Sequence, residues 1–244
     1  EKYQAGQEQF KKRRYGDAIK LFDEAVTIDG KNAQAYQAMG LTYQKMRDYP
    51  KAADAFKMAT TVDPKYVSAY FALGQLQLLS LKKYGDAQGS LRKVLDLEPN
   101  YEEGKARNML AAAHLKLGAT FHKQKNYKAA ATEYVSATQI DPSSARTFFN
   151  LGLAYKSARE YTKAVSALET ATDLDPGYDK AYRSLGDIYR ATRKNTKAIS
   201  AYGKAIAANP KDVRSFRSLA KVHSDNKNYA KAASTLKKAI TVKP

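Results

Sequence analysis

Hydrophobic residues in this chain recur at spacings of three and four, and that pattern itself recurs about every 34 residues. The segments 35–64, 147–176 and 181–210 align on one template without gaps. A spacing of three and four places apolar side chains on one face of a helix. Each segment therefore predicts two amphipathic helices joined by a short turn.

The aligned segments share residue types at fixed places. They have an aromatic residue, a glycine, a tyrosine, two alanines and a final proline, for example Tyr36, Gly40, Tyr43, Ala52, Ala59 and Pro64. Small residues allow two helices to approach closely. Proline cannot continue a helix and restricts the residue before it, so Asp63-Pro64 and Asp175-Pro176 predict the end of each second helix.

This series resembles the tetratricopeptide repeat (TPR) family. Seven copies fit it, at 1–32, 33–66, 67–101, 111–144, 145–178, 179–212 and 213–244, with departures at Gly30, Asn195 and Ala220. The resemblance implies an all-α fold, a right-handed α-solenoid of antiparallel helix pairs whose first helices line a concave groove. It also implies a scaffold for protein–protein interaction. The domain prediction is repeats 1–3 over 1–101 and repeats 4–7 over 111–244, in one continuous solenoid.

Residues 102–110 interrupt the repeat by nine residues. The apolar stripe of the fourth copy continues backward through them in phase, at Ala106, Leu110, Ala113, Leu117 and Phe121. We therefore expect one long first helix from about 102 to 123, extended by about 13 Å. Its position between neutral and basic copies predicts a boundary between two halves of the groove.

Composition narrows the classes of partner. Lys and Arg number 42 against 24 Asp and Glu, a net charge of +18, which favours an anionic partner. There is no cysteine, no apolar run long enough for a membrane-spanning helix, and no signal-peptide core at the first residues. The chain starts inside a predicted helix, so we expect a fragment or processed form, and its localisation is unknown.

No constellation indicates catalysis. The histidines His114, His122 and His223 are too scattered for a local metal motif. Glu102 and Glu103 are adjacent and point apart on a helix. We therefore predict no enzyme activity, no catalytic residue, no metal and no cofactor.

The second, fifth, ninth and twelfth residues of each copy share the exposed face of its first helix, and the TPR resemblance implies that this face lines the groove. We call these the groove positions. In copies five to seven many are basic, and the predicted basic site is Arg146, Lys156, Lys180, Arg183, Arg190, Arg214, Arg217 and Lys221. Six of the last eight groove positions are basic, although only 16 of residues 179–244 are Lys or Arg.

Polar and apolar residues complete the predicted site. They are Gln37, Phe71, Leu78, Leu115, Phe149, Asn150 and Leu153. Such a groove suits an extended peptide with an acidic segment and hydrophobic anchors, because arginine grips carboxylates with two parallel bonds. The five-residue clamp by which chaperone-binding TPR proteins hold a terminal carboxylate is matched only at Asn150 and Lys180, so that activity is not predicted.

Two other kinds of partner stay open. The basic copies would attract nucleic acid, or more weakly an anionic membrane or cell-wall polymer. The last helix keeps Ala233, Leu236 and Ile240 on one stripe. A solenoid end of this kind needs cover, so we expect further sequence beyond it or a homo-oligomer formed through this helix.

Overall fold

The structure is a computed structural model that describes residues 1–242; Lys243 and Pro244, the end of the predicted seventh copy, lie outside the described residues. Residues 1–242 form fourteen α-helices and no β-strand. The all-α repeat fold predicted from the sequence is confirmed.

The helices form seven pairs, in which odd-numbered helices are the first and even-numbered helices the second. They are α1 (Lys2–Lys11), α2 (Tyr15–Ile28), α3 (Ala33–Lys45), α4 (Tyr49–Val62), α5 (Val67–Leu79), α6 (Tyr84–Leu97), α7 (Lys105–Lys123), α8 (Tyr127–Ile140), α9 (Ala145–Ser157), α10 (Tyr161–Leu174), α11 (Asp179–Ala191), α12 (Asn195–Ala208), α13 (Val213–Asp225) and α14 (Tyr229–Val242). A 3₁₀ turn at Tyr101–Gly104 precedes α7.

The chain divides into two compact units, Glu1–Leu117 and Gly118–Pro244, which we call the N-terminal and C-terminal units. The boundary falls within α7. In the N-terminal unit α1 contacts α3, and in the C-terminal unit α11 contacts both α9 and α13. Neighbouring first helices therefore lie side by side within each unit. The single continuous solenoid stays a prediction.

The pairs are held together by one recurring contact. A glycine in the first helix faces a large buried side chain of the second, as Gly40 faces Phe56, Gly152 faces Leu168 and Gly186 faces Tyr202. A β-carbon placed at these three glycines would lie only 2.5–2.6 Å from that side chain. The repeated glycine is thus required by close helix packing.

Aspartate ends the second helices, as the Asp-Pro pattern predicts. The side chains of Asp63, Asp141 and Asp175 each accept a hydrogen bond from the backbone N–H two residues later, at 2.9–3.1 Å. These side chains offer the backbone N–H groups an alternative to the hydrogen bonds of the helix, which favours the end of the helix there. The next first helix then begins within four residues.

Helix α7 begins later than expected. The predicted start was near residue 102, but Glu102 and Glu103 have φ values of 43° and 54°, and Gly104 has a φ of 88°. A left-handed backbone cannot continue a right-handed helix. The regular helix therefore starts at Lys105, and its 19 residues make it the longest of those described.

The apolar stripe of the last helix is exposed. Leu236 and Ile240 on α14 have 44% and 66% of their surface accessible, whereas Ala232 and Ala239 are buried. An association of copies through this stripe stays a prediction.

Candidate peptide-binding surface

The N-terminal unit has a pocket at the groove positions of its first two copies. Its volume is about 350 Å³, and it lies between α1 and α3. Tyr3, Phe10 and Leu41 supply apolar walls, and Gln7 and Gln37 supply amides. Tyr3, Gln7 and Phe10 were not in the predicted site. They align with the groove positions Gln37, Leu41 and Gln44 of the second copy, because the first copy lacks the first two residues of the template.

Gln37 links two neighbouring copies at this surface. Its amide nitrogen donates to the Ser68 hydroxyl at 2.9 Å, and its amide oxygen accepts from the Tyr66 hydroxyl. Ser68 belongs to the third copy, and Tyr66 is the last residue of the second copy and the N-cap of α5. Gln37 therefore holds the copies together as well as lining the pocket.

Two predicted apolar contacts are not on the surface. Phe71 is buried beneath Tyr101, with ring centroids 4.9 Å apart, and the Lys105 ammonium lies 5.1 Å from the Phe71 ring centre. Leu78 is buried against Ala87 and Ala113. Phe71 is therefore not available for the predicted peptide contact, because neighbouring residues cover it. Leu78 is exposed only where it lines the pocket described next.

The inserted segment 102–110 contributes Lys105 beside Phe71 and also lines a second pocket of the N-terminal unit, of about 480 Å³. Gln75, Glu103, Asn108 and Met109 lie around it. Burial and, to a smaller extent, the adjacent Glu102 carboxylate together raise the pKa of the Tyr101 phenol to about 12. Tyr101 thus stays neutral and serves as a packing residue.

In the C-terminal unit, Lys156 is paired with a carboxylate of the next copy. Its ammonium lies 2.8 Å from Asp187, whose other oxygen accepts a hydrogen bond from the Tyr202 hydroxyl at 2.8 Å. Burial raises the pKa of Tyr202, and Asp187 raises it further. Arg190 is half-buried and interacts with the same Tyr202 hydroxyl.

Arg183 forms a second ion pair, with Asp212, the last residue of its own copy. Asp212 is the N-cap of α13, and it also accepts from the Ser215 hydroxyl at 2.7 Å and the Arg214 backbone N–H at 3.2 Å. Burial opposes ionisation of Asp212, but the bonds from Ser215, Arg183 and Arg214 outweigh it and hold its pKa below the usual value. Lys156 and Arg183 therefore stabilise the repeat stack.

The other predicted basic residues face solvent. Arg146, Lys180, Arg214 and Arg217 are exposed at groove positions of α9, α11 and α13. Lys221 is exposed too and lies 3.6 Å from Asp225 on its own helix. Three nearby carboxylates are already paired: Asp187 with Lys156, Asp212 with Arg183 and Asp225 with Lys221. They therefore do not neutralise Arg146, Lys180, Arg214 and Arg217.

The remaining predicted residues are partly covered. Phe149 stacks on Tyr178 with ring centroids 4.9 Å apart, and Leu153, Asn150 and Leu115 are half-buried. Phe149 and Leu153 therefore offer part of their apolar surface to solvent beside the exposed cations.

The histidines do not converge. His114 is buried with its Nδ1 atom 3.1 Å from the Gln88 amide, and His122 packs against the Tyr127 ring. Residues 1–242 contain no group of three or more His, Asp or Glu side chains arranged to hold a metal ion. In the same range, no helix combines the length and apolar content needed to cross a bilayer.

Sequence comparison shows the family. A model described as "Tetratricopeptide repeat" matches residues 38–102, 149–212 and 185–244, and a model described as "TPR repeat" matches residues 118–158. These matches cover more than half of the chain, which belongs to the tetratricopeptide repeat family. Proteins with this fold are typically non-enzymatic scaffolds for protein–protein interaction.

Solved structures share the fold. The C-terminal part of a TPR repeat-containing protein from Cytophaga hutchinsonii is 17% identical, with a TM-score of 0.62 over 99% of this chain and 95% of that one. YrrB, described as a TPR protein with an unusual peptide-binding site, is 20% identical, with a TM-score of 0.51 over 84% and 97%. Comparison with curated proteins gave no match.

Proposed function

We propose that this protein is a non-enzymatic scaffold whose C-terminal unit binds an acidic or acidic-hydrophobic segment of a partner protein. One observation carries the proposal: four basic side chains, Arg146, Lys180, Arg214 and Arg217, are exposed at groove positions of adjacent first helices. The neighbouring carboxylates of Asp187, Asp212 and Asp225 are already paired. The surplus charge is therefore available to a carboxylate-bearing ligand.

Arginine suits this role because its planar guanidinium binds a carboxylate through two parallel hydrogen bonds. The ion pairs Lys156–Asp187 and Arg183–Asp212 hold the copies in register below the exposed residues. Phe149 and Leu153 add a partly exposed apolar surface on α9. An extended peptide would place acidic side chains against the cations and an apolar side chain against Phe149.

In the N-terminal unit, the pocket of Tyr3, Phe10 and Leu41 is suited to a hydrophobic side chain. Its polar groups are the amides of Gln7, Gln34 and Gln37, which can bond a peptide backbone, and the ammonium of Lys11, whose charge is paired with Glu8 at 3.1 Å. This unit would therefore select apolar rather than acidic segments.

The test measures binding of a fluorescent peptide of alternating Glu and Leu by the full chain. We expect the quadruple variant R146Q/K180Q/R214Q/R217Q to bind it about tenfold more weakly. Four exposed charge contacts of about 0.4 kcal/mol each amount to roughly 1.5 kcal/mol. Arg183 is left intact, since its loss would weaken the stacking of copies.

The matched control is K204Q/K211Q/K237Q/K238Q, which removes the same charge from exposed lysines outside the groove positions. The control should bind like the wild type. Equal weakening of both variants would attribute binding to net charge alone and contradict the proposal. So would failure of the wild-type chain to prefer the Glu-Leu peptide over its Gln-Leu counterpart.

A further inference from the structure

The turn between the two helices of each copy contains a basic residue in the left-handed region. In the N-terminal unit these residues are Arg13, Arg47 and Lys82, with φ of 55–63°. In the C-terminal unit they are Lys125, Arg159, Arg193 and Lys227, with φ of 57–62°. Glycine is the residue favoured at such a position, because a β-carbon there is strained. All seven copies nevertheless have Lys or Arg.

The backbone of this turn explains the left-handed residue. In the fifth copy the Arg159 N–H bonds the Lys156 carbonyl at 3.0 Å, and the Glu160 N–H bonds the Tyr155 carbonyl at 2.9 Å. This is the Schellman arrangement that ends a helix. It requires a positive φ but no positive charge. A cation at a helix C-terminus interacts favourably with the helix dipole, but a helix end does not require a basic residue in all seven copies.

The turns hold most of the net charge of the chain. We define a turn segment as the seven residues from two before the left-handed residue to four after it. The seven turn segments contain 19 Lys and Arg and five Asp and Glu, a net +14 of the total +18. The charge is therefore concentrated at the turns rather than spread over the surface.

In the C-terminal unit the turn segments are 123–129, 157–163, 191–197 and 225–231. They contain ten Lys and Arg, all exposed, and two acids. Both acids are already paired, Glu160 with Lys163 at 2.6 Å and Asp225 with Lys221 at 3.6 Å. The remaining cations have no carboxylate partner within the described residues of these segments.

Neighbouring turns lie next to each other. The first helices α9, α11 and α13 are in contact, and the Asn195 amide donates to Asn226 across the turns of the sixth and seventh copies at 2.5 Å. With helices packed about 8–10 Å apart, successive turns form a row of cations. We call this row the turn edge of the C-terminal unit.

We propose that the turn edge binds the sugar-phosphate backbone of nucleic acid without reading its bases. A row of cations matches a polymer with phosphates at regular intervals, and binding releases the counterions of that polymer. The edge offers little for stacking on bases, since Tyr229 is the one exposed aromatic in the four segments. The proposal is independent of peptide binding at the groove positions.

A membrane is the less favoured partner of the turn edge. Surfaces that hold proteins to a bilayer combine charge with apolar side chains that enter the acyl region. The four turn segments contain no Leu, Ile, Val, Met or Phe. An acidic protein would bring scattered carboxylates, whereas the edge presents nearly uninterrupted positive charge over four successive turns.

The test replaces the four left-handed residues by glycine in the full chain, as K125G/R159G/R193G/K227G. Glycine is favoured at this backbone conformation, so the variant should fold and melt no lower than the wild type. Its affinity for a short random-sequence DNA duplex should fall tenfold or more at low salt. The slope of log affinity against log salt should lose about 0.9 for each phosphate contact removed.

Two variants of equal net charge serve as controls, the groove variant R146Q/K180Q/R214Q/R217Q and K204Q/K211Q/K237Q/K238Q. Both should retain most of the wild-type affinity and salt slope for the duplex. A turn-edge variant that binds DNA like the wild type would overturn the proposal. Equal losses in all three variants, or binding of wild-type chain to anionic phospholipid vesicles but not to DNA, would also overturn it.

Discussion

Paired helices pack closely where the first helix has a glycine, because this residue has no β-carbon. At Gly40 that carbon would lie 2.5 Å from the buried ring of Phe56. The ring cannot move aside without displacing its neighbours Ala52 and Leu73 in the same core cluster. A glycine costs helix stability through its flexibility, and here that cost is offset by close packing.

We predict opposite effects of the same substitution at two helical glycines. Gly40→Ala should lower the free energy of unfolding by about 2 kcal/mol, because an overpacked core loses more than the helix gains. Gly203→Ala on α12, where no atom lies within 4 Å of the added carbon, should raise it by about 0.5–1 kcal/mol. Urea denaturation of the two variants measures both changes. Stabilisation by Gly40→Ala would contradict the packing argument.

At the residue scale, some features could be predicted from the sequence and others could not. The packing glycines follow from their fixed place in a helical pattern. The burial of Phe71 was not predicted, although Tyr101 ends the third copy as Tyr178 ends the fifth, and each tyrosine covers a phenylalanine of its own copy. The left-handed conformation of the Lys and Arg residues in the turns could not be predicted either, since their residue type gives no indication of a positive φ.

At the element scale, ion pairs from one first helix to the next reduce the predicted basic site. Lys156 and Arg183 occupy groove positions, as the sequence indicates, but Asp187 and Asp212 are paired with them. Asp187 also lies at a groove position. Asp212 is the last residue of its copy, and it reaches Arg183 because it is the N-cap of α13. A count of basic groove positions alone therefore overestimates the available charge.

We predict that Asp212 stabilises the C-terminal copies in a pH-dependent way. Asp212→Ala removes the N-cap of α13 and the Arg183 ion pair, and should cost about 2 kcal/mol at neutral pH. The pKa of Asp212 is lowered in the fold, so the carboxylate contributes above the ordinary value near 4 and this contribution is lost as pH falls through the folded pKa.

Thermal melts of the wild type and Asp212→Ala between neutral pH and about pH 3 measure this change. The difference in stability should shrink below about pH 4. Asp212→Asn is the control, because asparagine also caps helices but carries no charge. A difference that stays constant down to pH 3 would assign the effect to the cap rather than to the ion pair.

The inserted segment shows a limit of periodicity at the element scale. The apolar pattern correctly extends α7 backward beyond residue 111, the first residue of its copy. The helix begins at Lys105, however, and not near residue 102. The three residues before Lys105 are left-handed or part of the 3₁₀ turn, and no spacing of apolar residues could indicate this. Periodicity predicts which face of a helix is buried better than it predicts where that helix begins.

At the scale of the whole molecule, charge is divided between turns and helices. The turn segments carry +14, whereas the other residues hold 23 Lys and Arg against 19 Asp and Glu. Composition indicated a basic protein, and the repeat frame indicated a basic groove. The excess at the turns becomes clear only when the left-handed residue is used to align the copies.

A concentrated charge of one sign should also oppose folding. Cations on neighbouring turns are about as far apart as the Debye length of about 10 Å at 0.1 M salt, so added salt weakens their repulsion. We predict that the melting temperature of the wild type rises between low and moderate sodium chloride concentration. In K125G/R159G/R193G/K227G this rise should be smaller, because the repelling row has lost its central charges.

The control for the salt effect is K204Q/K211Q/K237Q/K238Q, which has the same net charge as the glycine variant but an intact turn edge. Differential scanning fluorimetry over a salt series gives the slope for all three proteins. The control should keep most of the wild-type slope. If both variants lose it equally, the repulsion depends on net charge alone and the turn edge has no separate effect on stability.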